Sequence, residues 1–524
     1  SVPIFYGMLL VFLLGGPRFI YRWLKDHHLT LKTGKRVLIV GAGSAGEMLA
    51  RDLLRNPEST YLPVAFVDDK TRRIGQDIHG IPIAGDTNSI PELCRSLGIE
   101  VIVLAIPSAS VAQRKHLIEL CEQAGVPFRT VPQLDSLVSG QVSINQLREV
   151  SIEDLLGREP VKLEWDAINQ GLSGRVVLVT GAGGSIGSEL CRQLVRVKPD
   201  KLVLVENSEF NLYSRDLELR KINRDLNIHP CLIDIRDPDA VDRIFQQHKP
   251  SIIFHAAAYK HVPMLESHVR EAVNNNVLGT KVIADAADVH GVEHFVQIST
   301  DKAVNPTNVM GCTKRVAELY CQNKNAISNT NFITVRFGNV LGSAGSVVPL
   351  FRKQIEQGGP VTVTHPDIER FFMTIPEACL LIMQASVLGK GGEIFVLDMG
   401  EPVKIQYLAR QMILLSGQEP GVDIEISFTG LRPGEKLYEE LFHDLEHMNN
   451  TLHEKIFLAD HRLADWEQLC ATIDEMKQFV EQYDEDKLMV LLEQLVPEAQ
   501  LSKSGSRDDV TLSSNIINFK SREQ

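Results

Sequence analysis

Ser299-Thr300-Asp301-Lys302 sets a hydroxyl, a carboxylate and an ammonium side by side, directly after an apolar run. Groups of these three types can hold a substrate hydroxyl, remove a proton and supply one. Lys314 follows Lys302 by twelve residues, and Met310 precedes Lys314 by four. On a helix that spacing puts Met310 and Lys314 on one face. Met310 has no proton to exchange. Acid–base chemistry in this stretch therefore rests on Thr300, Asp301 and Lys302, or the site is inert. An Asp-Lys pair after a strand is ordinarily a solvated loop salt bridge. Its place after Ser-Thr and ahead of Lys314 favours the catalytic reading.

The elements that must position these groups repeat one pattern twice. Arg36-Val-Leu-Ile-Val40 leads into Gly41-Ala-Gly43-Ser-Ala-Gly46, then a helical run to Leu54 and an apolar strand ending in Asp68-Asp69. Val101–Ile106 and Val126–Val131 read as further buried parallel strands. After a connector over 151–172 the pattern restarts: Arg175–Thr180 is a strand, Gly181-Ala-Gly183-Gly184-Ser185-Ile186-Gly187 turns into a helix, and Lys201–Glu206 is the second strand. Strand, glycine turn and helix with an acidic strand end form the dinucleotide fingerprint. Gly181, Gly184 and Gly187 let backbone approach a pyrophosphate, with Ser185 and Ile186 opening the helix that faces it. Glu206 is placed for a ribose hydroxyl pair, and a carboxylate there repels a 2′-phosphate, which favours NAD over NADP. Asp234 and Ile235 fall beside the adenine. Ala256, Ala257 and Ala258, after the strand ending in His255, admit the cofactor. His255 reads as structural, and no metal site is expected.

The chain of 524 residues has room for two or three domains, and 44% hydrophobic with 23% charged residues is ordinary for a globular protein. A net charge of −13 argues against a nucleic-acid partner. Eight cysteines without a CxxC pair point to reduced thiols, not a disulfide framework. Ser1–Pro17 carries no charge, and Arg18, Arg22, Lys25, Lys32, Lys35 and Arg36 follow it. A membrane-anchoring helix over 1–25 is expected, with the rest on the cytoplasmic side of the inner membrane. The alternative is an apolar helix packed on the first domain. A chain opening on Ser, not Met, is expected to lack upstream spans. The predicted organisation is a Rossmann-like domain over 30–150, the connector over 151–172, an NAD-binding domain over 173–445, a helical segment over 446–502 and a disordered tail over 503–524.

Residues 171–445 resemble the extended short-chain dehydrogenases acting on nucleotide sugars. More closely they resemble the polysaccharide-biosynthesis (CapD-like) branch, the membrane-linked UDP-N-acetylglucosamine 4,6-dehydratases. The resemblance rests on Thr180–Gly187, His255-Ala-Ala-Ala-Tyr-Lys-His-Val-Pro263, Ser299–Pro306, Met310-Gly-Cys-Thr-Lys314, Val335-Arg-Phe-Gly-Asn-Val-Leu341 and Arg432-Pro-Gly-Glu-Lys436. Related sugar-modifying enzymes carry Tyr where Met310 stands. In this branch Met is found there, and the product keeps its C5 configuration.

The resemblance implies an α/β fold of two doubly wound Rossmann-type sheets and a homo-oligomer. It also implies a lyase that oxidises sugar C4 with NAD, eliminates water across C5–C6 and returns hydride to C6. Asp301 is then the expected acid toward the C6 oxygen and Lys302 the base at C5, which requires a depressed Lys pKa. Thr300 holds the 4-hydroxyl, and Lys314 binds the nicotinamide ribose. Arg432 offers a fork for the UDP diphosphate, and Glu435 takes the uridine ribose or holds Arg432. Asn339, Lys260 and His261 face the substrate, with Arg370–Thr374 lining the same cleft. Two rivals stay open: a 4-epimerase, which needs no Asp-Lys couple, and a catalytically silent nucleotide-sensing scaffold. The ligand of the first domain is open.

Overall fold

Runs of aliphatic residues apolar on both faces become central strands, because only a sheet covered on both sides can bury them. Val176–Thr180 and Lys201–Glu206 are buried along almost their full length. The structure, a computed structural model, describes residues 34–56, 60–131, 148–149, 161, 163–442, 448–459 and 463–501. The expected membrane segment, the connector residues 151–160 and the tail over 503–524 lie outside these. Among the described residues no helix is long and apolar enough to cross a membrane.

The chain divides into two units, Ser1–Gly157 and Arg158–Gln524. In the first, five parallel strands run in the order Ile81–Gly85, Tyr61–Val67, Lys35–Val40, Val101–Leu104 and Phe128–Thr130. Asp77–Ile78 and Arg148–Glu149 close the two edges antiparallel. Gly41 has φ +101°, and a Cβ on Gly46 would lie 2.0 Å from the Gly41 oxygen, so the turn into helix Ser44–Arg55 tolerates only glycine there. Asp68, at the end of the second strand, accepts from the Ala42 amide, the Lys70 amide and the Arg73 guanidinium.

The second unit is a nine-stranded sheet. Seven parallel strands run in the order Ile228–Leu232, Lys201–Glu206, Val176–Thr180, Ile252–His255, His294–Ile298, Asn331–Arg336 and Ile394–Leu397. The strand order reverses between Val176–Thr180 and Ile252–His255, which opens a crevice above their carboxyl ends. One face packs on helices Ser185–Val197, Ile375–Leu388 and Trp165–Leu172, the last formed by the end of the expected connector. The other packs on Gly279–Val289 and Val309–Asn325.

The segment after 446 departs from the expected all-helical reading. Met448–Asn450 and Ile456–Ala459 are strands that extend the sheet antiparallel. Helices Trp466–Gln482 and Glu485–Leu495 follow, and their Leu469, Ile473, Met476, Val480, Leu488 and Leu492 join the core that covers Val309–Asn325. At roughly 1.5–3 kcal/mol for each fully buried aliphatic side chain, these helices belong to the core of the second unit.

Candidate active site

The glycine turn of the second unit is built for a ligand's close approach. Gly181 has φ +62°, and a Cβ there would meet Ala256 and Ala257 backbone at 2.9 Å. On Gly187 a Cβ would lie 2.1 Å from the Gly181 oxygen. The thirteen-residue helix Ser185–Val197 starts directly after the turn, so its free amides point into the crevice. Glu206 is buried and accepts from the amides of Gly183 (2.9 Å), Asn207 (3.1 Å) and Ser208 (3.0 Å), which fixes its carboxylate beside the turn. Asp234 is held differently from its neighbour strand's Glu206. Arg236 binds both its oxygens, at 3.0 and 2.6 Å, and holds its carboxyl below the usual carboxylate range. Ile235 is buried against Gly279. These features fit a dinucleotide with free ribose hydroxyls.

A cleft of about 820 Å³ extends from this turn. Ser185, Gly187, Ala256, Ala258, Thr300, Lys302, Met310 and Lys314 line it, together with Lys260, His261, Asn339, Arg432 and Glu435. Many of the motif residues thus converge on one cavity, although Gly181, Glu206, Asp234, Ile235, Ala257 and Asp301 are not part of its lining. Asp301 is buried behind Thr300 and Lys302, and its Oδ2 packs where a Cβ on Gly338 would come within 3.0 Å. Its Oδ1 accepts from the Thr300 hydroxyl at 2.9 Å and from Lys302 Nζ at 3.0 Å. Lys302 Nζ also donates to Asn339 Oδ1 at 3.1 Å and pairs with Glu439 at 3.5 Å.

That arrangement bears on two expected roles. Burial alone would lower the Lys302 pKa, but the carboxylates of Asp301 and Glu439 outweigh it and raise the value above that of an ordinary lysine. A base at C5 needs the opposite shift. Asp301 is set back from the cleft wall and is 1% exposed. Its Oδ1 gives a path for proton exchange through Thr300 and Lys302, and its Oδ2 is buried without a hydrogen-bond partner.

Helix Val309–Asn325 carries Met310 and Lys314 into the same wall. Asn308 caps it, and Gly311 lies so near the Lys302 carbonyl that a Cβ would come within 2.1 Å. Met310 is buried, with its apolar side chain facing the cleft. Lys314 donates to the Ile298 carbonyl at 2.7 Å, and burial brings its pKa down to about 8 although Glu318 opposes the shift. Behind it Glu318 accepts from Ser299 at 2.6 Å and from Arg336 at 2.7 and 2.8 Å. Burial would raise this carboxyl, but Arg336 and Arg315 hold it at about 2. His255 is the structural residue the sequence indicates. Its ring nitrogens lie 2.9 Å from Thr180 Oγ1 and 3.0 Å from Thr280 Oγ1, and burial lowers its pKa to about 3.

The opposite wall comes from the loop after Gly430. The Gly434 carbonyl accepts from Thr307 Oγ1 and Asn308 Nδ2, both at 3.1 Å, and this ties the loop to the start of the Met310 helix. Arg432 is more than half exposed and pairs with Glu435 at 3.4 Å. Two residues without an individual role in the sequence reading complete this wall. Arg370 is buried and donates to the carbonyls of Leu437 and Lys436 at 3.1 and 2.7 Å. Glu439 sits between Lys302 and Arg370, 3.6 Å from the guanidinium Nε. Glu439 follows Glu435 by four residues in the Arg432-Pro-Gly-Glu signature, and Arg370 opens the Arg370–Thr374 stretch. Both lay next to recognised motifs.

Residues 177–461 match the family model described as polysaccharide biosynthesis protein. The chain belongs to that family. The probable polysaccharide biosynthesis protein EpsC of Bacillus subtilis is 45% identical over 470 residues, covering 89% of this chain and 78% of the relative. The capsular polysaccharide biosynthesis protein CapD of Staphylococcus aureus is 45% identical over 455 residues, covering 86% and 76%. The X-ray structure of Pen from Bacillus thuringiensis is 34% identical with a TM-score of 0.52, covering 56% of this chain and 92% of that one. Residues 2–132 match a CoA-binding domain model. As a polysaccharide biosynthesis protein the chain shows the CapD-like resemblance and the parallel Rossmann-type sheet that its motifs imply.

Proposed function

We propose that this protein carries out NAD-dependent 4,6-dehydration of UDP-N-acetylglucosamine, giving a UDP-4-keto-6-deoxy sugar for polysaccharide biosynthesis. Gly181, Gly184, Ser185, Ile186 and Gly187 hold the NAD pyrophosphate, Glu206 the adenosine ribose, and Asp234 with Ile235 the adenine side. Ala256–Ala258 admit the cofactor, and Lys314 binds the nicotinamide ribose. Bound NAD supplies the hydride acceptor for C4 and the hydride donor for C6.

The observation that carries the reading is the shared acceptor at Asp301 Oδ1, which takes hydrogen bonds from both Thr300 and Lys302. Thr300 receives the proton of the sugar 4-hydroxyl while its own proton passes to Asp301. Lys302, kept charged by Asp301 and Glu439, protonates the departing C6 hydroxyl. Asp301 then returns its proton to Lys302, and the set is restored. Catalysis thus bypasses Met310. A 4-epimerase needs the first of these transfers but has no use for a second acid. Arg432 neutralises the UDP diphosphate, with Glu435 at the uridine ribose and Lys260, His261 and Asn339 along the sugar path. The uncharged Ser1–Pro17 followed by six basic residues supports a membrane anchor with the enzyme on the cytoplasmic side.

Incubation with UDP-N-acetylglucosamine tests the reading. The expected product is lighter by one water, formed without consumption of added oxidant. A product of unchanged mass indicates an epimerase, and absence of turnover indicates a scaffold; either outcome overturns the proposal.

A further inference from the structure

The dehydration proposed above leaves one group unassigned: the base that takes the C5 proton. Lys302 is held as an acid, Asp301 is set back from the wall, and Met310 has nothing to accept with. Among the described residues Glu439 is the carboxylate on the cleft wall in contact with Lys302. Its side chain is 4% exposed, with Oε1 paired to Lys302 and Arg370 at 3.5 and 3.6 Å. Its Oε2 is buried without a hydrogen-bond partner. A buried carboxylate oxygen left unpaired is costly unless a ligand or a proton completes it. Arg370 is anchored in turn by three backbone carbonyls, so the carboxylate is fixed from behind.

We propose that Glu439 is the C5 base, working opposite the Lys302 acid. In the 4-keto sugar the C5–H bond breaks and its proton goes to Glu439. The electron pair forms the C5–C6 double bond as the C6–O bond breaks, and the oxygen leaves as water with the proton from Lys302. After hydride reaches C6, Glu439 returns its proton to C5. One base acting from one face gives back the original C5 configuration, and the 4-hydroxyl proton stored on Asp301 restores Lys302. The role rests on the dehydratase reading.

Glu439→Gln in D2O with UDP-N-acetylglucosamine tests it, with Glu439→Asp as the second variant. In Glu439→Gln the near-ultraviolet absorbance of the reduced cofactor is expected to rise on mixing, as in the parent, because C4 oxidation does not use this group. Product formation is expected to fall about 10²–10⁴-fold, and recovered substrate to keep its C5 proton. Glu439→Asp is expected to recover part of the rate. Product formation within a few-fold of the parent overturns the role. So does deuterium entering C5 of recovered substrate at the parent's rate while elimination stalls, which would mean Glu439 only positions Lys302. Loss of cofactor reduction in both variants would mark a merely structural residue and overturns it too. If the parent protein itself gives no dehydrated product, the dehydratase reading fails first and the base role falls with it.

Discussion

Met310 and its neighbours set the chemistry at the residue scale. In the proposed reaction the proton-transfer path runs along Thr300, Asp301 and Lys302, so Asp301→Asn is expected to cut dehydration about 10²–10⁴-fold while NAD stays bound. Turnover and cofactor content after gel filtration check this; near-parental turnover contradicts it. Met310→Tyr is expected to leave turnover within a few-fold, whereas a large gain would show a site crippled by the missing phenol. Lys314 carries a stability prediction with a definite sign. Its folded pKa of about 8 lies below the 10.5 of an ordinary lysine. Between those pH values the unfolded chain holds a proton that the folded chain has lost, so stability rises with pH through this window. At pH 7 the buried ammonium is a burden, and Lys314→Met is expected to stabilise the protein by about 2 kcal/mol, a net of burial relieved and one hydrogen bond lost. The same variant is expected to lose turnover, and denaturant unfolding read beside an activity assay checks both. The Lys302 pKa was not legible in the chain sequence. Asp301 is its sequence neighbour, but Glu439 reaches it from 137 positions away.

At the scale of elements, the site depends on two close approaches. Gly311 lets the Met310 helix touch the Lys302 carbonyl, and Gly434 lets the Arg432 loop pack on Asn308, where a Cβ would come within 2.7 Å. Gly311→Ala is expected to destabilise the second unit by about 1–3 kcal/mol and to displace Lys302. Thermal unfolding and turnover should both fall; an unchanged melting temperature contradicts the contact. Strand, glycine turn and helix were legible in both units because each leaves a local signature: a buried aliphatic run, a glycine where no Cβ fits, a carboxylate at a strand end. The place of Thr300, Lys302 and Lys314 along one cleft followed from those elements. Asp301's recessed position was not legible, since it depends on the Gly338 backbone that packs against its carboxylate.

At the scale of the whole molecule, the second unit includes more than its nucleotide-binding motifs show. The stretch after 446 reads as amphipathic helix, yet Ile456–Ala459 first pairs with Ile394–Leu397. Such a four-residue edge strand has too little periodicity to announce itself, and its partner lies far away in sequence. The helices that follow cover the outer face of Val309–Asn325. Ile473→Ala is expected to cost about 2–5 kcal/mol and to lower the unfolding midpoint of the catalytic unit; a change below 0.5 kcal/mol contradicts that packing. In the proposed dehydration the cleft, its relay and its cofactor turn act together in one transfer, from C4 of the sugar to C6. UDP-N-acetylglucosamine deuterated at C4, followed by proton NMR, reports that transfer directly. The expected result is a 4-keto product with the label in its C6 methyl group. Label back at C4 of an isomer, or label that never leaves the substrate, would contradict it.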